Sequence, residues 1–159
     1  MKVWIALLFS LLLVACDKSP APIVAMPSAG THSGASAAGT NAFEPARLAR
    51  GATIYQQNCA TCHGARGEGA FNWQRQGADG KWLPPPLDAS GHAWHHPQAA
   101  LEQVIREGTQ TRGGNMPSWG KTLSDADIRA VIVWFQSLWP DPIYTAWADI
   151  DRRARAGEK

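Results

Sequence analysis

The stretch NCATCHGARGEG, residues 58–69, holds two of the three cysteines of the chain. Cys59 and Cys62 are separated by two residues, and His63 follows directly. This C-x-x-C-H spacing serves three kinds of site in proteins: a redox dithiol, half of a zinc site, or the covalent attachment point of a haem. The surrounding sequence is therefore needed to choose among these three kinds of site and to predict the fold.

The rest of the chain argues against the first two uses. A structural zinc site needs four ligands, commonly from two cysteine pairs, and the sequence has no second pair. The nearest histidine cluster, His92, His95 and His96, lies far along the chain. A thioredoxin-like dithiol follows a strand, whereas the residues before Cys59 have a helical pattern. Haem attachment fits, because two thiols at this spacing can reach the two vinyl groups of one porphyrin and His63 can reach its iron.

The beginning of the chain has the features of a secretory signal. Lys2 precedes an apolar run, residues 3–15, that is too short to span a bilayer as a helix. The run ends in LVAC, which resembles the lipobox of bacterial lipoproteins, so we expect removal of residues 1–15 and lipid attachment to Cys16. The alternative is an ordinary signal peptide or a short anchor with an incidental cysteine. The predicted location is the periplasm, lipid-anchored to a membrane, and Asp17 slightly favours the inner one.

Composition divides the remainder into three segments. Residues 16–43 are dominated by Ala, Gly, Ser, Pro and Thr and are predicted to be a flexible tether. Residues 44–140 are predicted to form one domain, and residues 141–159 a short helix with a basic tail. The net charge of +2 is spread over both signs, and no basic block suggests nucleic-acid binding.

Hydrophobic periodicity predicts three helices and a short fourth one. The first begins at Pro45, where the missing N–H of proline would be unpaired anyway, and contains Gly51. Because a glycine inside a helix costs about 1 kcal/mol relative to alanine, we expect another backbone to pass close to Gly51. Its predicted partner is a helix over 124–139, which has a capping-box-like start and a strong apolar stripe. A further helix is predicted over 97–107, and a short one from residue 141.

A long loop, residues 64–96, connects the motif to the helix predicted over 97–107. Within it, Ala78-Asp79-Gly80 is a turn signal flanked by Trp73 and Trp82. We therefore expect a small hairpin in this part of the loop.

The chain resembles the class I c-type cytochromes. The resemblance covers residues 44–139 and is carried by Gly51, Tyr55, Cys59, Cys62, His63, Gly64, Pro85-Pro86-Leu87, Asn115-Met116-Pro117, Trp134 and Phe135. It implies an all-α class I fold, with three to five helices wrapped around one covalently bound haem c and with crossing N- and C-terminal helices. In this family the crossing occurs at a glycine that faces an aromatic residue, which accounts for Gly51.

The resemblance also implies roles for individual residues. Cys59 and Cys62 correspond to the thioether anchors, His63 to the proximal iron ligand and Met116 to the distal one. The other two methionines lie in the predicted signal and the predicted tether. The alternatives for the distal side are a core role for Met116 and a histidine ligand from GHAWHHP, residues 91–97.

Two further residues have implied roles in the resemblance. Pro85 is expected to offer its carbonyl to the free ring nitrogen of His63, which would fix the tautomer of that histidine. Leu87 is expected to pack on the haem face.

The loop histidines are not explained by the family pattern. We expect His96 to cap the helix after it, and His95 or Trp94 to pack near the haem edge or a propionate. The alternative is a copper or zinc site formed by His92, His95 and His96, or a docking patch for a copper protein.

A haem with His63 and Met116 on the iron leaves no coordination position for a substrate. The resemblance therefore implies a monomeric one-electron carrier that cycles between Fe(II) and Fe(III), and not an enzyme. Its expected partners are redox proteins, such as a quinol-oxidising complex, a dehydrogenase or a terminal oxidase. The alternatives are a haem-based sensor or small haem enzyme with a labile sixth ligand, and an electron donor to a copper protein through the loop histidines.

Overall fold

The computed structural model describes residues 43–157, so the predicted signal, Cys16 and all but the last residue of the predicted tether lie outside the described residues. Residues 43–157 contain five α-helices, two short 3-10 helices (Ala93–His95 and Gln110–Arg112) and isolated β-bridges, but no β-strand. The all-α prediction is confirmed for this part of the chain. None of its helices combines the length and apolar character needed to cross a bilayer. The helices are α1 Pro45–Asn58, α2 Ala60–His63, α3 Gln98–Glu107, α4 Asp125–Gln136 and α5 Asp141–Ala156.

Helices α1 and α4 pack against each other more extensively than any other pair. They cross at Gly51, where an added Cβ would lie 2.7 Å from the backbone carbonyl carbon of Ala130 and 2.8 Å from Cβ of Trp134. One turn further along α1, the fully buried Tyr55 packs on Trp134, with ring centroids 4.0 Å apart. The expected close approach of a second backbone at Gly51 is confirmed.

Helix α4 begins with a full capping box. Ser124 Oγ accepts the backbone N–H of Asp127, and Asp127 Oδ2 accepts the backbone N–H of Ser124, each at 3.2 Å. The helix ends at Gln136, three residues before the predicted end, so that Trp139 lies in the turn after it. The predicted apolar stripe is buried at Ile128, Val131, Ile132 and Phe135.

Helix α5 is longer than predicted, because it includes most of the residues expected to form a solvated basic tail. The buried Trp147 donates its indole N–H to His96 O at 3.0 Å. Asp151, which is only 6% exposed, accepts the backbone N–H of Gln98 at 2.8 Å at the start of α3. The prediction that His96 caps α3 is wrong, since a carboxylate of α5 satisfies that N–H instead.

The loop between α2 and α3 contains the expected turn in a minimal form. Gln76 and Trp82 form an antiparallel bridge, and the Gly77 N–H donates to Lys81 O at 2.8 Å. The hairpin prediction is confirmed, with Gln76 and not Trp73 opposite Trp82. We call residues 76–82 the hairpin.

We expect the Gly51→Ala substitution to lower the free energy of unfolding by about 2 kcal/mol, because the new methyl group would collide with the backbone of Ala130. Guanidinium titration measures this. The exposed Ala49→Gly substitution in the same helix calibrates the backbone effect at about 1 kcal/mol. A Gly51→Ala protein more stable than the original, as helix propensity alone would make it, would contradict the close crossing.

Candidate functional site

A cavity of about 860 Å³ lies between the C-x-x-C-H motif, α3, α4 and the loops that flank α3. Most of its lining side chains are apolar or aromatic. The six residues predicted to bind the cofactor all line it: Cys59, Cys62, His63, Pro85, Leu87 and Met116. The fold therefore brings together residues from three separate parts of the sequence. Cys16, the predicted lipidation site, lies outside the described residues.

Helix α1 leads directly into the motif and fixes its position. The Cys59 N–H donates to Tyr55 O at 2.8 Å, and the His63 N–H donates to Cys59 O at 2.9 Å. The phenol of Tyr55 donates to Gly64 O at 2.7 Å, just past the motif. Burial raises the pKa of Tyr55, which keeps this hydroxyl protonated. The short helix α2 is thus held at both of its ends by one residue of α1.

His63 is buried and has a defined tautomer. Its Nδ1 lies 2.9 Å from Pro85 O, and since a carbonyl can only accept, Nδ1 carries the proton and Nε2 keeps its lone pair. Burial lowers the pKa of His63, although the Pro85 carbonyl acts in the opposite direction. A neutral imidazole with a free Nε2 is the form of histidine that binds a metal. The contact that the resemblance implied for Pro85 is present.

The two thiols of the motif are free and differ in exposure. Cys59 is half-buried, whereas Cys62 is exposed. Burial and, to a smaller extent, the neighbouring Cys62 raise the pKa of Cys59 to about 11. A redox dithiol depends on a lowered thiol pKa, so the environment of Cys59 argues against that use of the motif.

The residues of this cavity fit a haem. Its volume is in the range of pockets that enclose a large organic ligand, and its walls supply the apolar surroundings that a porphyrin needs. Two thiols, a neutral imidazole nitrogen and the thioether of Met116 provide anchors and iron ligands in the lining of one cavity. This combination of helical fold and site is that of a c-type cytochrome domain, which carries covalently bound haem c.

Comparison with protein families identifies the chain more closely. The model of the family "Cytochrome C oxidase, cbb3-type, subunit III" matches residues 46–135, more than half of the chain. The chain belongs to this family. No solved structure gives a significant match.

Curated relatives agree with this assignment. The chain is 35% identical over 97 residues to the "Cbb3-type cytochrome c oxidase subunit CcoP" of Azospirillum sp. (strain B510), covering 61% of the chain and 30% of the relative. It is 37% identical over 90 residues to the corresponding subunit FixP of Azorhizobium caulinodans, covering 56% and 26%. The CcoP subunit of Cereibacter sphaeroides is 33% identical over 96 residues, covering 60% and 29%. The match thus spans less than a third of the length of these relatives.

The three loop histidines are not grouped around a common point. The His95 ring packs edge-on against Trp94, with the two ring centroids 3.7 Å apart. His92 and His96 line the cavity, and their ring centroids are 5.6 Å apart. In residues 43–157 no group of three or more His, Cys, Asp or Glu side chains is placed to hold a metal ion. The arrangement of these three histidines therefore gives no support to the copper or zinc alternative. His92 and His96 line the cavity, whereas His95 and Trp94 are not among its lining residues, so their expected packing near the haem edge stays a prediction.

Part of the cavity wall has no signature in the sequence. Thr109, Arg112 and Trp119 line the cavity, although no motif or periodicity marks them. Their closeness in sequence to Met116 was the one signal that could have found them. Their contribution depends on the path of the loop around Met116, which the hydrophobic pattern does not specify.

We expect Trp139→Phe to lower the free energy of unfolding by roughly 1–3 kcal/mol. The indole N–H of this buried residue donates to Leu87 O at 2.8 Å, and phenylalanine would leave that carbonyl unpaired and open a void. Guanidinium titration of the purified protein measures the loss. Trp82→Phe is the matched control, since its side chain is 51% exposed, and should cost less than about 1 kcal/mol. Equal losses in the two variants would contradict the role given to Trp139.

Proposed function

We propose that this chain is a one-electron transfer protein with a class I cytochrome c fold and a single haem c, bound through Cys59 and Cys62 and ligated axially by His63 and Met116. When bound, this group supplies one-electron chemistry through an iron that alternates between Fe(II) and Fe(III). The observation that carries the proposal is the shared cavity that these four residues line. The presence of one C-x-x-C-H motif in the sequence supports a single haem.

The chain's own residues account for the proposed ligand set. His63 Nδ1 lies 2.9 Å from Pro85 O and donates its proton to that carbonyl, so Nε2 is free to bind the iron. Met116 presents a thioether, which favours ferrous iron and gives a higher reduction potential than a second histidine would. With His63 and Met116 both on the iron, no coordination position would remain for a substrate, so we propose electron transfer and not catalysis as the activity. A haem sensor or small haem enzyme would instead need Met116 to leave easily.

The partners are proposed from the relatives. Those proteins are named as subunits of cbb3-type cytochrome c oxidases, which favours a terminal oxidase as the electron acceptor. A quinol-oxidising complex or a dehydrogenase suits the donor side. We propose a small, weak interface with each of them, as fast turnover requires, and a monomeric chain.

The location is proposed from the sequence. The LVAC sequence before Asp17 supports lipid attachment to Cys16, and residues 16–43 would then connect the anchor to the domain. We propose that the domain works in the periplasm at the surface of a membrane, with Asp17 slightly favouring the inner one.

We expect Met116→Ala to remove the ferric methionine–iron charge-transfer band and to allow CO binding to the ferrous protein, because one axial position becomes free. Absorption spectra of the purified holoprotein check both effects. The conservative variant Leu101→Met, which places a thioether at another point on the cavity wall, serves as the control and should leave both spectra unchanged. An unmutated protein that already binds CO readily would favour the sensor or enzyme alternative. A protein without haem covalently attached on a denaturing gel would contradict the proposal as a whole.

We expect Cys16→Ser to move the protein from the membrane fraction to the soluble fraction of the cells that produce it. The reason is that a serine hydroxyl cannot receive the lipid through a thioether. Fractionation followed by haem staining measures the distribution. Replacement of the neighbouring Ser19 by alanine is the control and should leave the protein in the membrane fraction. Unchanged membrane association of a Cys16→Ser protein that has lost residues 1–15, as its mass would show, would rule out the lipid anchor but not the electron-transfer activity.

A further inference from the structure

Hydrogen bonds to Thr109 close the loop that carries Met116. The backbone N–H of Thr109 donates to Met116 O at 2.9 Å, and the Met116 N–H donates to Thr109 Oγ1 at 3.2 Å. The Gly114 N–H donates to Thr109 O at 3.0 Å. All of these bonds lie within residues 109–116, which we call the methionine loop. They fix the shape of this loop, but they do not fix its position against the cavity.

A backbone contact with the hairpin supplies part of that position. The Trp82 N–H donates to Gly113 O at 3.0 Å, and Trp82 forms a parallel bridge with Gly114. The indole of Trp82 also lies near Gly113, 3.8 Å from the position of an added Cβ. The hairpin is thus seated directly against the methionine loop.

A side-chain contact adds a second connection between the two. Asn115 Nδ2 donates to Asp79 Oδ2 at 2.8 Å, across 36 positions of sequence. The turn of the hairpin orients this carboxylate, because Asp79 Oδ1 accepts the Lys81 N–H at 3.1 Å. The hydrogen bond from Asn115 is the largest cause that lowers the pKa of Asp79, so the carboxylate is charged at neutral pH.

We propose that Asp79 and Asn115 are positioning residues that hold Met116 at the cavity. This inference rests on the proposed function, in which the sulfur of Met116 is an iron ligand. Asn115 directly precedes Met116, so a movement of Asn115 away from the hairpin moves the methionine backbone with it. The hairpin therefore sets how often the methionine loop opens and how firmly its sulfur stays in place.

The strength of this connection can be measured with imidazole as a competing ligand. Imidazole occupies the sixth position of the ferric iron only when Met116 has left, so its apparent affinity depends on the fraction of protein with an open loop. We expect Asn115→Asp, which places two carboxylates against each other, to tighten imidazole binding about threefold to tenfold. The same variant should weaken the ferric charge-transfer band.

A double variant that exchanges Asp79 and Asn115 should restore the original imidazole affinity. In Asp79→Asn/Asn115→Asp, donor and acceptor exchange places, so the hydrogen bond can form again and imidazole affinity should return close to the original value. Asp88→Asn is the matched control. Asp88 Oδ1 accepts the Ser90 N–H at 3.1 Å in a similar turn, and its side-chain bonds go to Ser90 and not to the methionine loop. This control should leave imidazole affinity unchanged.

Amide hydrogen exchange of Met116 gives a readout that does not depend on an added ligand. Its N–H is bonded to Thr109 Oγ1, and exchange should accelerate in Asn115→Asp and recover in the swapped variant. Unchanged imidazole affinity in Asn115→Asp, or failure of the swap to restore it, would overturn the positioning role while leaving the electron-transfer proposal intact. An unmutated ferric protein without the charge-transfer band would overturn both.

Discussion

The close crossing of α1 and α4 at Gly51 is the constraint on which the rest of the structure depends. Without a side chain at this position, the two helices approach to backbone contact and Tyr55 packs directly on Trp134. Because α1 runs into the C-x-x-C-H motif, its position against α4 also sets the position of His63. The hydroxyl of Tyr55 extends this control past the motif to Gly64. A packing interaction far from solvent thus determines where the thiols and the imidazole meet the cavity.

His63 and Met116, which line the cavity, are held in place by different kinds of contact. His63 is held by helices, by the buried Tyr55 and by a carbonyl at 2.9 Å, so its orientation is set by the core. Met116 lies in a loop whose ties to its surroundings include a bond to the exposed Asp79. Core contacts are costly to change, whereas loop contacts of this kind open at a small cost in free energy. The methionine side of the cavity is therefore held less firmly than the histidine side.

Much of the fold could be predicted from the sequence, because its main helices follow local rules. Each of three features follows from one physical requirement. Gly51 allows a close helix crossing, the capping box at Ser124 pairs the N–H groups at the start of α4, and the apolar stripe of α4 buries one face of that helix. The full length of α5 could not be predicted in this way. Its buried positions include Asp151, a carboxylate that serves α3 and therefore interrupts the apolar pattern. A polar residue buried to satisfy another helix has the appearance of a surface residue in the sequence. The same limit applies to the site. The motif residues and Met116 could be predicted to share one cavity, because their residue types are specific to the chemistry. The bond between Asp79 and Asn115 could not be predicted, since it depends on how two loops meet.

The ligation of the iron by Met116 can be tested by X-ray absorption at the iron K edge of the oxidised holoprotein. We expect a sulfur neighbour of the iron, from Met116, in addition to the nitrogen neighbours. An iron surrounded by nitrogen alone, or with an open or water-filled sixth position, would contradict it.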